Sequence, residues 1–331
     1  MPTQTVLPRW RGFNLLEMFS RDRDGAWRED DFRWIADWGF DFVRLPMCYR
    51  LWIEDDDPLK PHEPMLDRID LAVSLADTYG LHVCLNLHHA PGYCVNGARG
   101  EPFDLWKDQA ALDAFCFHWE LLARRYRGIG SDKMSFNLVN EPRAPSEDGM
   151  TRADHERVIR TAVAAIRAID PGRLIIADGV SWGNTACPEL ADLGIAQSCR
   201  AYVPSPLSHY KANWVKSEGW PAPVWPGLVD GEKTWDRPAL EEHYQQWAGL
   251  AADGVGVHCG EGGAFHHTPH GVVLRWLRDV LEILTAYGIG LALWQFRGPF
   301  GILDSRRSDV AYADWHGHAL DRELLDLLRE F

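Results

Sequence analysis

The chain has 331 residues, 46% of them hydrophobic and 25% charged, the profile of a globular protein with a sizeable core. Its 48 acidic residues against 34 basic ones leave a formal charge of −14, which excludes a surface built to track nucleic acid, since phosphate binding needs a positive face. No apolar run approaches the roughly 18 residues that span a bilayer, so no membrane partner is expected. The opening MPTQTVLPRWRG carries no apolar signal segment, and a cytoplasmic location is expected in preference to a secreted mature form. Seven cysteines, an odd number with no C-x-x-C pair, read as free thiols rather than a disulfide framework or a structural zinc site.

Short apolar runs alternate with helical periodicity along the chain. Strands are expected at Gly12–Leu16, Phe42–Leu45, His82–Leu87, Met134–Val139, Leu174–Ala177, Ser198–Val203, Val255–Cys259 and Ile289–Trp294. They are rich in Val, Ile, Leu and Phe and lack polar alternation, which fits parallel strands buried on both faces. Between them, Val158, Ile159, Ala162, Val163, Ile166 and Ile169 share one helical face. Val273, Trp276, Leu277, Val280, Leu281 and Leu284 repeat that pattern, and Leu320, Leu324, Leu325, Leu327 and Leu328 supply the last helix. Tyr79-Gly80 and Asp170-Pro171-Gly172 read as helix stops. Eight such units without a dividing linker predict an α/β fold, a single-domain (β/α)8 TIM barrel over residues 1–331. An open doubly wound sheet usually carries a glycine-rich phosphate turn after its first strand, and GFNLLEMFS is not one.

Two connections exceed structural need: His88 to Trp106 after the third strand, and Pro204 to Asp236 after the sixth. Both follow strand C-termini, where barrel enzymes build their sites. The chain holds 16 Trp, and a flat indole is a good partner for the apolar face of a sugar ring. Tyr93, Phe103, Trp106, Trp214, Trp220 and Trp225 are expected to wall off one end of a cleft.

Polar residues concentrate at the predicted strand ends: Arg44, His88 and His89, Asn140 and Glu141, Asp178, Tyr202, Glu261 and Trp294. Glu141 and Glu261 would converge from opposite sides of the barrel. Paired carboxylates flanking a cleft are the minimum equipment for glycoside hydrolysis, one protonating the leaving oxygen and the other attacking the anomeric carbon. Their surroundings must therefore differ. Of His88 and His89 only one is expected to face the site, because adjacent side chains on a strand point to opposite sides. Asp178 reads equally as a loop cap or a site residue. Glu17 reads as a structural carboxylate or a partner for hydroxyls of a terminal sugar, and Asp304 is similar.

VRLP, NLHHAPG, NLVNEP, CGEGG and LWQF, in this order and on these strands, resemble glycoside hydrolase family 5 over roughly Gly12 to Trp294. The resemblance implies Glu141 as general acid/base and Glu261 as nucleophile. It implies that Asn140 bonds the sugar 2-hydroxyl and that Arg44 holds and orients Glu261 through opposite charge. Tyr202 would donate to the nucleophile, His88 would follow strand three into the site, and Trp294 would lie under the reacting sugar. The family usually has a His two residues before the strand-six Tyr, and here that residue is Arg200. Either Arg200 draws the proton from a nearby carboxyl, or His209 reaches back from the loop to replace the missing His. The segments around HHAPG and PSPLSHYKANW resemble exo-acting members related to fungal exo-β-glucanases.

The leading expectation is thus a retaining β-glycosidase acting on gluco- or manno-configured oligosaccharides, probing chain ends, with no cofactor and no metal. An endo-β-glucanase or mannanase of the same family is the alternative within the class. Outside it stand a metal-dependent barrel hydrolase or isomerase using His88, His89, Glu141, Glu261 and a strand-seven His, and a catalytically silent carbohydrate-binding barrel. The run His258, His266, His267, His270 invites a metal reading, but its spacing is not H-E-x-x-H.

Overall fold

Eight parallel strands close into a barrel in the computed structural model, which describes residues 6–97 and 101–331. They are β1 (Gly12–Asn14), β2 (Phe42–Cys48), β3 (His82–Ala90), β4 (Met134–Asn137), β5 (Leu174–Asp178), β6 (Ala196–Ala201), β7 (Val257–Gly262) and β8 (Leu291–Leu293). Each pairs with its sequence neighbours, and β1 pairs with β8 to complete the closure. All eight fall on the apolar runs expected to form them. The opening five residues, read for a signal segment, lie outside the described residues.

Helices α1 (Glu29–Asp37), α2 (Glu63–Thr78), α3 (Gln109–Arg125), α4 (Arg152–Ile169), α5 (Arg237–Ala252), α6 (His270–Ala286) and α7 (Arg322–Glu330) wrap the barrel. Each buries one stripe. In α6, Val273, Trp276, Leu277, Val280, Leu281 and Leu284 face the sheet, as their spacing predicts. Thr151 and Asp154 form a reciprocal capping box that starts α4, and the helix stops at Asp170, one residue before Pro171. Leu320, expected in the last helix, instead ends a short antiparallel hairpin (Ala313–Trp315 with His318–Leu320). The reason is local: the Asp321 carboxylate accepts the Leu324 N–H and sets the helix start just beyond it.

The crossover after β5 lacks a long helix. It runs through a turn at Ser181, Trp182 and Gly183, all left-handed (φ 56°, 59° and 76°), then a 3-10 segment, Pro188–Leu193. Inside the barrel, Trp10, Phe42, Cys84, Leu174, Ile176, Ala196 and Ala292 form an apolar floor. The Trp10 ring lies 3.8 Å from the buried His82 ring and closes that end. A polar layer including Asn14, Asn86 and Asn137 sits in the buried interior and meets the strand-end residues of the mouth. No helix among the described residues is long and apolar enough to cross a membrane.

Candidate active site

Glu261 reaches the barrel mouth through an irregularity in β7. Cys199 pairs with Cys259, yet Arg200 pairs with Glu261, so Gly260 is the extra residue of a bulge. The bulge re-aims the strand and brings Arg200 and Glu261 to the same level. Arg44 donates through Nη1 to Glu261 Oε1 at 2.5 Å, an ion pair buried on both sides. Three more of its N–H groups are fixed by Asn137, Asn14 and Asn140 at 2.7–3.0 Å. The Tyr202 hydroxyl donates to Glu261 Oε2 at 3.2 Å. Burial and the neighbouring carboxylates push the Tyr202 hydroxyl well above its ordinary range, so it remains a phenol and a donor.

Glu141 approaches from β4. Its backbone is left-handed (φ 48°), an uncommon state for a residue with a side chain and one that surrounding bonds must hold. Two such bonds are present: the Glu141 N–H donates to Asp178 Oδ2 at 2.9 Å, and the Tyr93 hydroxyl donates to the Glu141 carbonyl at 2.7 Å. Burial, and then the charge of Glu261, raise the Glu141 carboxyl to about 8, although Arg200 Nε lies 2.9 Å from its Oε1. Both carboxylates touch the one guanidinium, since Arg200 Nη2 is also 3.5 Å from Glu261 Oε1. Of the two alternatives for position 200, Arg200 is the residue at Glu141. His209 instead hydrogen-bonds Ser208 and lies 5.2 Å, ring to ring, from Tyr202.

Around this pair stand groups with unused hydrogen-bonding capacity. Asn140 Oδ1 accepts from Arg44 at 2.7 Å and Arg200 at 3.1 Å, which fixes the amide and leaves its buried Nδ2 without a partner among the described residues. His88 is buried, its pKa driven well below the ordinary value by burial and then by Arg44 and Arg200, and its Nδ1 is likewise unpartnered. Its ring stacks at 5.5 Å on Trp294, while Phe19 lies 4.5 Å from His88 and 5.7 Å from Trp294. Trp294 also packs against a cluster in which Tyr202 and His209 meet Phe300, and Trp214, 51% exposed, lies edge to face with Phe265 at 4.9 Å.

His89 and Glu17 have surroundings apart from the Glu141–Glu261 pair. His89 turns away from the carboxylates, with Cys48 Sγ 3.4 Å from its Nδ1 and Glu101 2.9 Å from its Nε2. His88 is the extra residue of a bulge in β3, where Met47 pairs with Leu87 and Cys48 with His89, and the two rings take different partners. Glu17 sits beside the Asp31–Arg297 ion pair, its Oε2 buried without a partner among the described residues; burial, then the Asp31 charge, raise its carboxyl to about 7. The expected aromatic wall is also thinner than the sequence suggests. Tyr93 and Trp106 are buried against each other beneath Glu141, and Trp225 is buried with its indole N–H on Asp279 of α6. They support the loops rather than line a cleft.

This geometry sets the comparisons with known proteins in context. The pattern of the family described as cellulase (glycosyl hydrolase family 5) matches residues 3–298. The chain belongs to glycoside hydrolase family 5. It is 28% identical to cellodextrinase A of Ruminococcus flavefaciens, over 82% of this chain and 79% of that protein. It is 27% identical to endoglucanase C of Acetivibrio thermocellus, over 89% and 92% of the two chains. A solved structure described as a glycoside hydrolase superposes with a TM-score of 0.94 at 41% identity, covering 97% of this chain and 99% of that one. Thermotoga maritima Cel5A with mannotriose, at 22% identity and a TM-score of 0.78 over 98% of both chains, shares the fold. The protein is thus a glycoside hydrolase of a family whose typical mechanism retains anomeric configuration.

Family 5 membership leaves no place for the metal-dependent alternative as first assembled. His89 faces out, His258 lies in the barrel floor beside Trp10, and His270 pairs with Asp321 behind the barrel. One other group of ligand-type side chains comes together among the described residues: His155, Cys187 and Glu189, within 4.8 Å of one another. Glu189 there is already held at 2.7 Å by the Arg152 guanidinium, whose charge opposes a cation. The residue that sequence reading passed over is Phe19, which had only its place after the first strand to mark it. Asp178, read equally as a loop cap or a site residue, stands at the site on Arg200.

Proposed function

We propose that the protein hydrolyses β-1,4-linked gluco-oligosaccharides of the cellodextrin type, with Glu261 as nucleophile and Glu141 as acid/base. The observation that carries this reading is the contrast between the two carboxyls. Glu261 is bound by a buried guanidinium and a phenol, while Glu141 keeps its proton affinity high beside it. In the first step Glu141 gives its proton to the glycosidic oxygen as Glu261 forms an ester bond with the anomeric carbon and the leaving sugar departs. A water then attacks that carbon, loses its proton to Glu141 and frees Glu261, so configuration is retained. The unpartnered Asn140 Nδ2 is placed to donate to the sugar hydroxyl next to the reacting carbon, and His88 Nδ1 to another. Trp294, backed by His88 and Phe19, supplies the flat apolar surface under the ring.

Attack at chain ends is part of the proposal. The supporting feature is the aromatic cluster of Trp214, Phe265, Phe300 and His209 next to Tyr202, which we read as the wall of one end of the cleft. A partial likeness points the same way: 30% identity to a probable glucan 1,3-beta-glucosidase A of Aspergillus fumigatus, over 47% of this chain and 38% of that protein. The endo alternative has its own support in the endoglucanase C match, which spans nearly the whole of both chains. Digestion of a soluble β-glucan and a set of cello-oligosaccharides, followed by chain length and viscosity, separates the two. Release of one or two sugars at nearly constant viscosity is expected. A rapid fall in viscosity with mixed oligomers would establish endo action, and a preference for β-mannan would overturn the gluco assignment.

A further inference from the structure

Arg200 is wholly buried and uses all five of its N–H groups. Nε donates to Glu141, Nη1 to Ser198 Oγ at 2.9 Å and the Cys199 carbonyl at 3.0 Å, and Nη2 to Asn140 Oδ1 and Asp178 Oδ2. The surrounding backbone leaves just enough room for it. A Cβ on Gly183 would lie 2.6 Å from Arg200 Cγ, and one on Gly260 would lie 2.7 Å from Ser198 Oγ and 3.2 Å from Arg200 Nη1. Gly183 also has φ +76°, which a side chain would strain. A permanent cation this close to Glu141 should strip its proton. That outcome would disarm a general acid.

Asp178 resolves the conflict. Its carboxylate is buried at the end of β5. Oδ1 accepts from Asn137 Nδ2 at 2.9 Å, and Oδ2 accepts both the Arg200 guanidinium and the Glu141 backbone N–H. At the mouth, Arg44 and Arg200 are the two guanidinium groups that pair with the three carboxyls. Arg44 pairs with Glu261 and Arg200 with Asp178, and Glu141 is the carboxyl left without a cation of its own. We infer that Asp178 is a positioning residue for catalysis: its carboxylate occupies Arg200 and leaves the proton on Glu141. The inference rests on Glu141 being the acid/base. The other groups facing Glu141 are Tyr93 and Cys94 from the segment after β3, Arg143 on its own loop, Tyr202 from β6 and Glu261 from β7. Tyr93 and Cys94 are held neutral by burial, so Asp178 and Glu261 are the anions that oppose Arg200.

The test is the pH profile of Asp178→Asn on two substrates of one sugar, a dinitrophenyl β-glycoside and the matching unactivated oligosaccharide. Dinitrophenolate leaves without a proton, whereas a sugar does not. With one negative charge removed, Arg200 turns its full charge on Glu141. The alkaline limb of kcat/KM on the oligosaccharide should move down by about one to two pH units. Near neutral pH that activity should fall about two- to tenfold and recover as the pH is lowered, while the dinitrophenyl substrate keeps its wild-type pH dependence. Asp178→Asn with Arg200→Gln removes both charges and should return the limb toward its wild-type position. Equal loss on both substrates at every pH, or an unmoved limb in both variants, would overturn the inference. Glu141→Ala run alongside checks the reading beneath it. If that variant spares neither substrate preferentially, the acid/base assignment itself fails, and if it spares the dinitrophenyl glycoside while Asp178→Asn behaves as wild type, only the role of Asp178 falls.

Discussion

Two arginines stand on either side of the barrel mouth and have opposite effects on the carboxyl each touches. On the β2–β7 side, Arg44 gives Glu261 a close ion pair, and three asparagines hold the guanidinium still. On the β4–β6 side, Arg200 touches Glu141 just as directly, yet burial and the Glu261 charge keep Glu141 a weak acid, and Asp178 shares the guanidinium. The same residue type thus holds one carboxyl by its charge and leaves the other with a proton. What differs is the number of anions around each cation, which is a more reliable guide than contact distance.

The largest effect should come from removing either carboxyl. Glu261→Ala and Glu141→Ala should each lower turnover on oligosaccharides by roughly 10²–10⁴-fold while the fold persists. Azide should rescue them differently, yielding an α-glycosyl azide from the Glu261 variant and a β-glycosyl azide from the Glu141 variant. The same anomer from both would dissolve the distinction between the two sides.

Arg44→Leu comes next, because it strands a buried carboxylate. Breaking such a pair costs about 3–5 kcal/mol of stability, which thermal and urea unfolding would register along with a loss of activity. A variant as stable as wild type would show that Glu261 finds another partner, with Arg200 at 3.5 Å the nearest candidate. Tyr202→Phe removes a single hydroxyl 3.2 Å from Glu261 and should cost about tenfold in kcat/KM without shifting the alkaline limb. A shifted limb would mean that the phenol acts on Glu141 instead.

The smallest effect is on stability. Glu141 binds its proton more tightly folded than unfolded, so its contribution is full at low pH and is lost as pH rises between the ordinary value near 4.5 and about 8. Glu141→Gln has no such slope. Its stability relative to wild type should increase steadily across that window in denaturant unfolding, and a constant difference would contradict the raised carboxyl.

The barrel was readable because parallel strands buried on both faces leave uninterrupted apolar runs. Their limits were less so: β6 begins two residues before the expected Ser198, and β7 continues past Cys259 to Gly262. A bulge such as that at Gly260 has no signature in a string of apolar residues. Within the site, Glu141 and Glu261 could be read from their motifs, whereas the bulge at His88 that parts it from His89 could not. Asp178 could not, since its role depends on which neighbouring strand end carries a charge. Tryptophan misled for a physical reason. The indole that suits a sugar ring also fills a core, and Trp225 shows the second use, its ring buried and its N–H on Asp279.

The thin crossover after β5 has a consequence for how the molecule breathes. The 3-10 segment Pro188–Leu193 is clasped from α4 by Arg152 on Glu189, Arg160 on Asp192 and Arg167 on the Leu193 and Gly194 carbonyls. Of its own six residues, only Leu190 is buried. Bonds of this kind weaken as salt screens them, whereas the apolar stripes of α4 and α6 do not. Amide hydrogens around this segment should therefore exchange faster as ionic strength rises, ahead of those in the flanking helices. Since the same crossover begins at Asp178, this salt-sensitive patch is joined through the chain to the carboxylate that pairs with Arg200.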